Sequence, residues 1–276
     1  MIFKIVMYNI LLPSVLSGSV ILVVWQMKSR GVAHDRWGVA LGLLLGYVAG
    51  HIGIMGWPTF PPGDPTTGWF VYIASAAFAT VLAESAWRSS RWAVWTVRTL
   101  LMGVTCWLIL SPFIKYNWGM GETIVRISVI VLIMLVLCKI LEDIGRYGSE
   151  GMSALLLTLL ATVESIVILL SHSVLLAQLQ GVITAALGAA VVLTWLLPQV
   201  SLVQAGISMV SMLSVAHAIS AIFYADMPVN SGAFLVAAPA AALLIWRRGA
   251  GWKETLLGFA ATLFMLGLAI VVTIRI

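Results

Sequence analysis

Residues 37–57 read WGVALGLLLGYVAGHIGIMGW, an uncharged run with glycine at 38, 42, 46 and 50 and a histidine, His51, directly after the last. About 20 apolar residues suffice for a helix to cross a hydrocarbon layer of roughly 30 Å, so the run predicts a transmembrane helix. A spacing of four puts Gly38, Gly42, Gly46 and Gly50 on one face, where the lack of side chains lets a neighbouring backbone approach closely. His51 sets an ionisable group inside the span, where its cost calls for a reason.

The rest of the chain is the same material. With 62% hydrophobic residues, 9% charged residues and a mean hydropathy of +1.08, its 276 residues have too little polar surface to coat a soluble globule. Ten apolar runs are legible, at 6–27, 37–56, 69–87, 92–113, 121–141, 152–172, 174–197, 201–224, 232–246 and 255–274. The fold class is therefore all-α: a polytopic transmembrane bundle of about ten spans, with residues 1–276 forming one integral membrane domain. The first run is too long for a signal-peptide core and lacks a clean small-residue cleavage site, so it reads as a retained helix. Pro13 within it predicts a bend.

Charge orients the chain. Lys28, Arg30, Arg36, Arg88, Arg91, Lys139, Arg146, Arg247, Arg248 and Lys253, ten of the fifteen Lys and Arg residues, fall in alternate connections. The positive-inside rule then predicts a bacterial inner-membrane protein with both termini outside, while the connection around Pro198 carries no charge and supports neither orientation. The net charge of +5 is thereby explained by topology, and nucleic acid is not an expected partner. Trp25, Trp37, Trp57, Trp69, Trp87, Trp92, Trp118, Trp195, Trp246 and Trp252 all fall at the ends of runs, the headgroup level that indole prefers. Cys106 and Cys138 lie at different depths on successive antiparallel runs, too far apart for a disulfide.

The seventh run repeats the small-residue spacing with Ala177, Gly181, Ala185 and Ala189. If ten helices form two sets of five, runs two and seven are equivalent and the halves have opposite topology. That is the layout of an inverted-repeat transporter.

Helical rise places the ionisable residues in depth. His51 comes about 21 Å from the basic side, Glu164 and His217 within about three residues of that height, and Arg126 about 7 Å below the opposite surface. Four groups from four helices thus share one layer, the candidate substrate or proton pathway. The expected contact is a buried Glu164–Arg126 ion pair, since an unpaired charge at such depth is costly. With His217 or His51 beside it, Glu164 could pass protons. His51 and His217 could instead hold a haem iron, and His172 with Glu164 or Asp226 a transition metal, although no metal or cofactor motif such as HExxH or CxxCH is present.

Above the layer, His172, Asp226 and the loop WPTFPPGDPTTGW form an outer rim. Pro58, Pro61, Pro62 and Pro65 stiffen that loop, a candidate lid carrying Asp64. On the basic side, Glu84 and Arg88 have the spacing of a local ion pair, Arg98 can snorkel, and Glu84 with Arg98 form a candidate inner gate. The connection EDIGRYGSEG reads as a solvated turn.

Transport, in which a permease-like protein is linked to protons through this layer, accounts for most of these features. The alternatives are an integral subunit of a redox or photosynthetic assembly binding haem, pigment, quinone or lipid, and a structural assembly subunit. The expected partners are the lipid bilayer and other membrane subunits or further copies of the chain. No catalytic serine, cysteine or carboxylate pair is framed as an enzyme would require.

Overall fold

The computed structural model describes residues 2–29, 37–64, 66–86, 90–197, 202–247 and 251–275, the side chains of Ile2, Ser29, Arg91 and 202–205 excepted. Arg30, Arg36, Pro65, Trp87, Arg88, Pro198 and Arg248 lie outside the described residues, and with them the expected Glu84–Arg88 pair and the turn at Pro198.

Among the described residues there are ten helices and no strand. α1 runs from Ile2–Val6 through a π-turn at Met7–Leu11 into Leu12–Ser29. The others are α2 (Gly38–Met55), α3 (Phe70–Ala86), α4 (Arg91–Tyr116), α5 (Met120–Tyr147), α6 (Glu150–Leu170), α7 (Val174–Leu196), α8 (Leu202–Tyr224), α9 (Val229–Trp246) and α10 (Trp252–Ile274). Nine are long and apolar enough to cross a membrane, and α3, at 17 residues, is the shorter tenth. The chain is an integral membrane helix bundle.

The π-turn has a local cause. Pro13 offers no N–H to the carbonyl one turn behind it, and just before it the Leu12 N–H reaches back five residues to Met7. Beyond the turn, α1 lies along the glycine face of α2. A Cβ on Gly42 would stand 2.9 Å from the Ser17 carbonyl oxygen, and one on Gly46 would stand 2.8 Å from that of Pro13. On Gly38 it would run into Val24, and on Gly50 it would come 2.6 Å from Val182 of α7. The stripe therefore seats two helices. Ser14 and Ser17 of α1 also donate to the Ala185 and Ala186 carbonyls of α7, at 3.0 and 3.3 Å.

The small residues of α7 are used differently. Ala177 and Gly181 face Ser165 of α6, whose hydroxyl donates to the Ala177 carbonyl at 2.8 Å, while Ala189 faces Gly18 of α1. The packing does not repeat between the two sets of five: α1 packs on α7 while α6 makes no comparable contact with α2, and α2 packs on α8 while α7 makes none with α3.

α8 is the axis of the bundle. It packs against α2, α3, α4, α5, α6, α7 and α9 and is the most enclosed of the nine long helices. Along it Ser208, Ser211, Ser214, His217 and Ser220 recur at every third residue. Three steps of about 100° leave each member turned by roughly 60° from the last, so the polar groups wind around α8 and meet different neighbours in turn.

Tryptophan follows the expected band at Trp57, Trp92, Trp195 and Trp252, all exposed. Trp246 does not. It is buried against Gly258 and Phe259 of α10, where the missing glycine side chain leaves room for its ring. Cys106 and Cys138 are free and buried, as their depths required.

Candidate functional site

Glu164 sits on the buried face of α6 and is 6% exposed. One oxygen, Oε2, accepts a 2.7 Å hydrogen bond from Nε2 of Gln180 on α7, which also donates to the Ser214 hydroxyl of α8 at 3.2 Å. The other oxygen, Oε1, is buried without a partner, as is Oε1 of Gln180. Glu164 lines a cavity of about 70 Å³ between α5, α6, α8 and α9. Its walls are apolar, Leu137, Leu157 and Leu235 among them, apart from Glu164, Ser211 and Ser214. A buried oxygen with unspent lone pairs beside a cavity is where a proton, a water or a cationic group gains most.

One turn along α8 from Ser214, His217 is fully enclosed. Its Nδ1 lies 2.8 Å from the Leu213 carbonyl oxygen, which can only accept, so Nδ1 carries the proton. In the neutral ring Nε2 then accepts from the Tyr47 hydroxyl of α2, at 3.3 Å. Phe70 of α3 stacks on the imidazole with centroids 4.1 Å apart. His51, one turn from Tyr47 on α2, is 2% exposed and its Nδ1 has no partner. His51, His217 and Glu164 thus all lie in the core, a direction that depth alone did not fix.

The fourth member of the expected layer is elsewhere. Arg126 projects from the outside of α5, half exposed, where it pairs with Glu122 one turn back at 2.6 Å and lies over the Trp118 ring. The Glu164–Arg126 ion pair is not formed, and Glu164 is met by Gln180 instead. Counting residues fixes depth on a helix but not the direction a side chain takes around it. Gln180, Tyr47 and Ser214 escaped notice because none is ionisable at ordinary pH. The period-three recurrence of hydroxyl and imidazole groups along 208–220 was the signal that marked this part of the core.

At the rim, His172 and Asp226 are exposed in turns with positive φ, 68° and 54°. Asp64 turns inward on its own loop, accepting from the Thr66 N–H at 2.8 Å, from the Thr66 hydroxyl at 2.7 Å and from the Thr67 hydroxyl. Partial burial works to raise its carboxyl, but the bonds from Thr67 and Thr66 outweigh it and hold the group below its ordinary 3.8. The Ser220 hydroxyl of α8 contacts the Thr66 carbonyl at 3.4 Å, tying the loop to the axis.

At the basic end, Glu84 of α3 and Arg98 of α4 do meet, Nε to Oε1, at 2.6 Å. Arg98 does not snorkel. It is 5% exposed and reaches sideways, pairing also with Glu142 of α5 and donating to the Ser208 hydroxyl of α8 at 3.0 Å. Ser208 in turn contacts both Glu84 oxygens, at 2.9 and 3.1 Å. Glu142 belongs to the stretch expected to be a solvated turn, but α5 continues to Tyr147 and leaves it partly buried beside Arg98. Next to it Asp143, 6% exposed, binds Lys139 at 2.6 Å and Arg247 of α9 at 2.7 Å.

Among the described residues no three His, Cys, Asp or Glu side chains converge as a metal set, so His172, Glu164 and Asp226 are not gathered into one. No protein family, curated protein or solved structure matches this chain.

Proposed function

We propose that this protein is a membrane carrier of the permease type, linked to protons through Glu164. The observation that carries the reading is the carboxylate itself. It is buried, lines a cavity between four helices, is bonded through one oxygen, and has its second oxygen without a partner. A carboxylate in hydrocarbon is costly unless it is neutralised or hydrated, so a proton is a natural ligand for it. Gln180 and Ser214 hold the carboxyl in place, and Tyr47, His217 and His51 extend polar groups from α8 toward α2. The Glu84–Arg98–Glu142 cluster joins α3, α4, α5 and α8 beneath the cavity and serves as the closed gate on that side. The alternating basic connections support a bacterial inner-membrane location with both termini outside.

The test is infrared titration of the lipid-reconstituted protein, following the C=O stretch of a protonated buried carboxyl. Wild type should show a band that comes and goes with pH, and Glu164→Gln should lack it while the protein stays folded. A pH-independent carboxyl spectrum overturns the reading. One observation favours the alternative of a cofactor-bearing subunit, the unpartnered Nδ1 of buried His51. An absorption spectrum of gently purified protein decides it, a Soret band assigning His51 to haem.

A further inference from the structure

We propose that the cavity at Glu164 binds a small apolar primary ammonium, an alkylamine or a molecule ending in one, in exchange for the proton. This rests on the reading of Glu164 as a proton-binding group and adds the class of the second ligand.

The polar inventory of the cavity is short, one carboxylate and two hydroxyls, and carries no cation. Glu164 Oε1 has no partner. The Ser211 hydroxyl spends its hydrogen on the Ile207 carbonyl at 2.7 Å, so toward the cavity its oxygen can only accept. The Ser214 oxygen accepts one bond from Gln180 and keeps capacity for another. Three acceptors thus border the space, and an ammonium has three N–H donors and no acceptor. The remaining walls, Leu137, Leu141, Leu157, Leu160, Val210 and Leu235 among them, are hydrocarbon and suit an alkyl group.

Other ligands fit less well. An anion would meet a carboxylate with no cation among the lining residues. Three oxygens are too few for a hard divalent cation, which takes six or more. A neutral alcohol would fill the space but cannot take the proton's place in neutralising the carboxylate, so it drives no exchange. The volume, about 70 Å³, is near half of the roughly 150 Å³ that holds benzene, so the occupant has only a few heavy atoms. Ammonium and proton both neutralise the same carboxylate, and a site that cannot hold both exchanges one for the other. No bond to carbon forms or breaks; one proton leaves the carboxyl as the ammonium arrives.

Calorimetric titration of the reconstituted protein tests this with three small probes of similar size: ethylamine, ethanol and acetate. An alkylamine stays protonated to about pH 10, as a lysine side chain does, so its own charge is constant. The amine should bind one to one and release about one proton below the Glu164 titration midpoint. Its affinity should rise by about tenfold per pH unit there and level off above it. Glu164→Gln should abolish proton release and weaken the amine by at least about tenfold. Ser214→Ala should keep proton release and weaken the amine by about two- to tenfold. Equal binding of the alcohol, tighter binding of the carboxylate, or amine binding without proton release overturns the proposal. The infrared titration of the same sample separates the two readings. If Glu164 titrates and no amine binds, the ligand class is wrong and the proton reading stands. If Glu164 does not titrate, the proton reading itself has failed.

Discussion

Arg98 and Glu164 are both charges enclosed in the bundle beside α8, and they are treated in opposite ways. Arg98 engages all three guanidinium nitrogens, with Glu84, Glu142 and Ser208, and so binds four helices together. Glu164 engages one oxygen, with the amide of Gln180, and leaves the other bare at a cavity. A fully paired charge network has one favourable arrangement and fastens whatever carries it. A half-paired one keeps bonding capacity for something that arrives and leaves. The difference separates a structural clasp from a binding site more sharply than burial does, since both residues are almost equally buried.

The largest test of that contrast is Arg98→Ala. It strands Glu84 and Glu142 in the bundle without their cation, and the expected loss is about 3–5 kcal/mol in a reversible unfolding titration in detergent micelles. A loss under about 1 kcal/mol would make the cluster an ornament of the packing. The glycine face comes next. Gly46→Leu drives a side chain against the Pro13 carbonyl and toward Ala186, and should cost about 1–3 kcal/mol in the same titration, the range for overpacking.

A smaller effect belongs to the proline loop. Asp64→Ala removes the acceptor for Thr66 and Thr67, at an expected cost of about 0.5–1.5 kcal/mol at neutral pH. Because the folded carboxyl lies below its ordinary 3.8, the stabilisation is fully present above that value and fades as pH falls through the lower folded value. Wild type and variant should therefore converge in acid, and a gap that persists there would show that the side chain acts through packing alone. The smallest stability effect should be that of Glu164→Gln, which keeps a partner for Gln180 and removes a charge. Its unfolding free energy should match wild type within about 1 kcal/mol or exceed it. A large loss would place Glu164 with Arg98 among the fasteners.

Much of this was legible in the residues, and the parts that were not share a cause. The ten helices fall within a few residues of the apolar runs because length and hydropathy are properties of each segment alone. The glycine face at 38, 42, 46 and 50 was equally plain, since spacing defines a face. Depth put Glu164, His51, His217 and Arg126 in one layer, but only the first three turn into the core. Glu84 and Arg98 were correctly joined because they lie at the facing ends of consecutive helices.

Where prediction missed, rotation was at stake. Arg126 and Glu164 have compatible depths, yet Arg126 leaves α5 toward the outside and Glu164 leaves α6 toward the core. Glu142 was assigned to solvent, although α5 extends past it and turns it to Arg98. Sequence by itself determined that the chain is a bundle of apolar helices, roughly where most of them run, and which face of α2 admits close approach. Rise along a helix is set by backbone hydrogen bonding and can be counted from either end. Tertiary structure alone decided that α8 is the axis, that Gln180 rather than Arg126 meets Glu164, and that one carboxylate oxygen is left free. The phase of a helix about its own axis is set by the side chains of every helix packed against it, and no single segment contains that information.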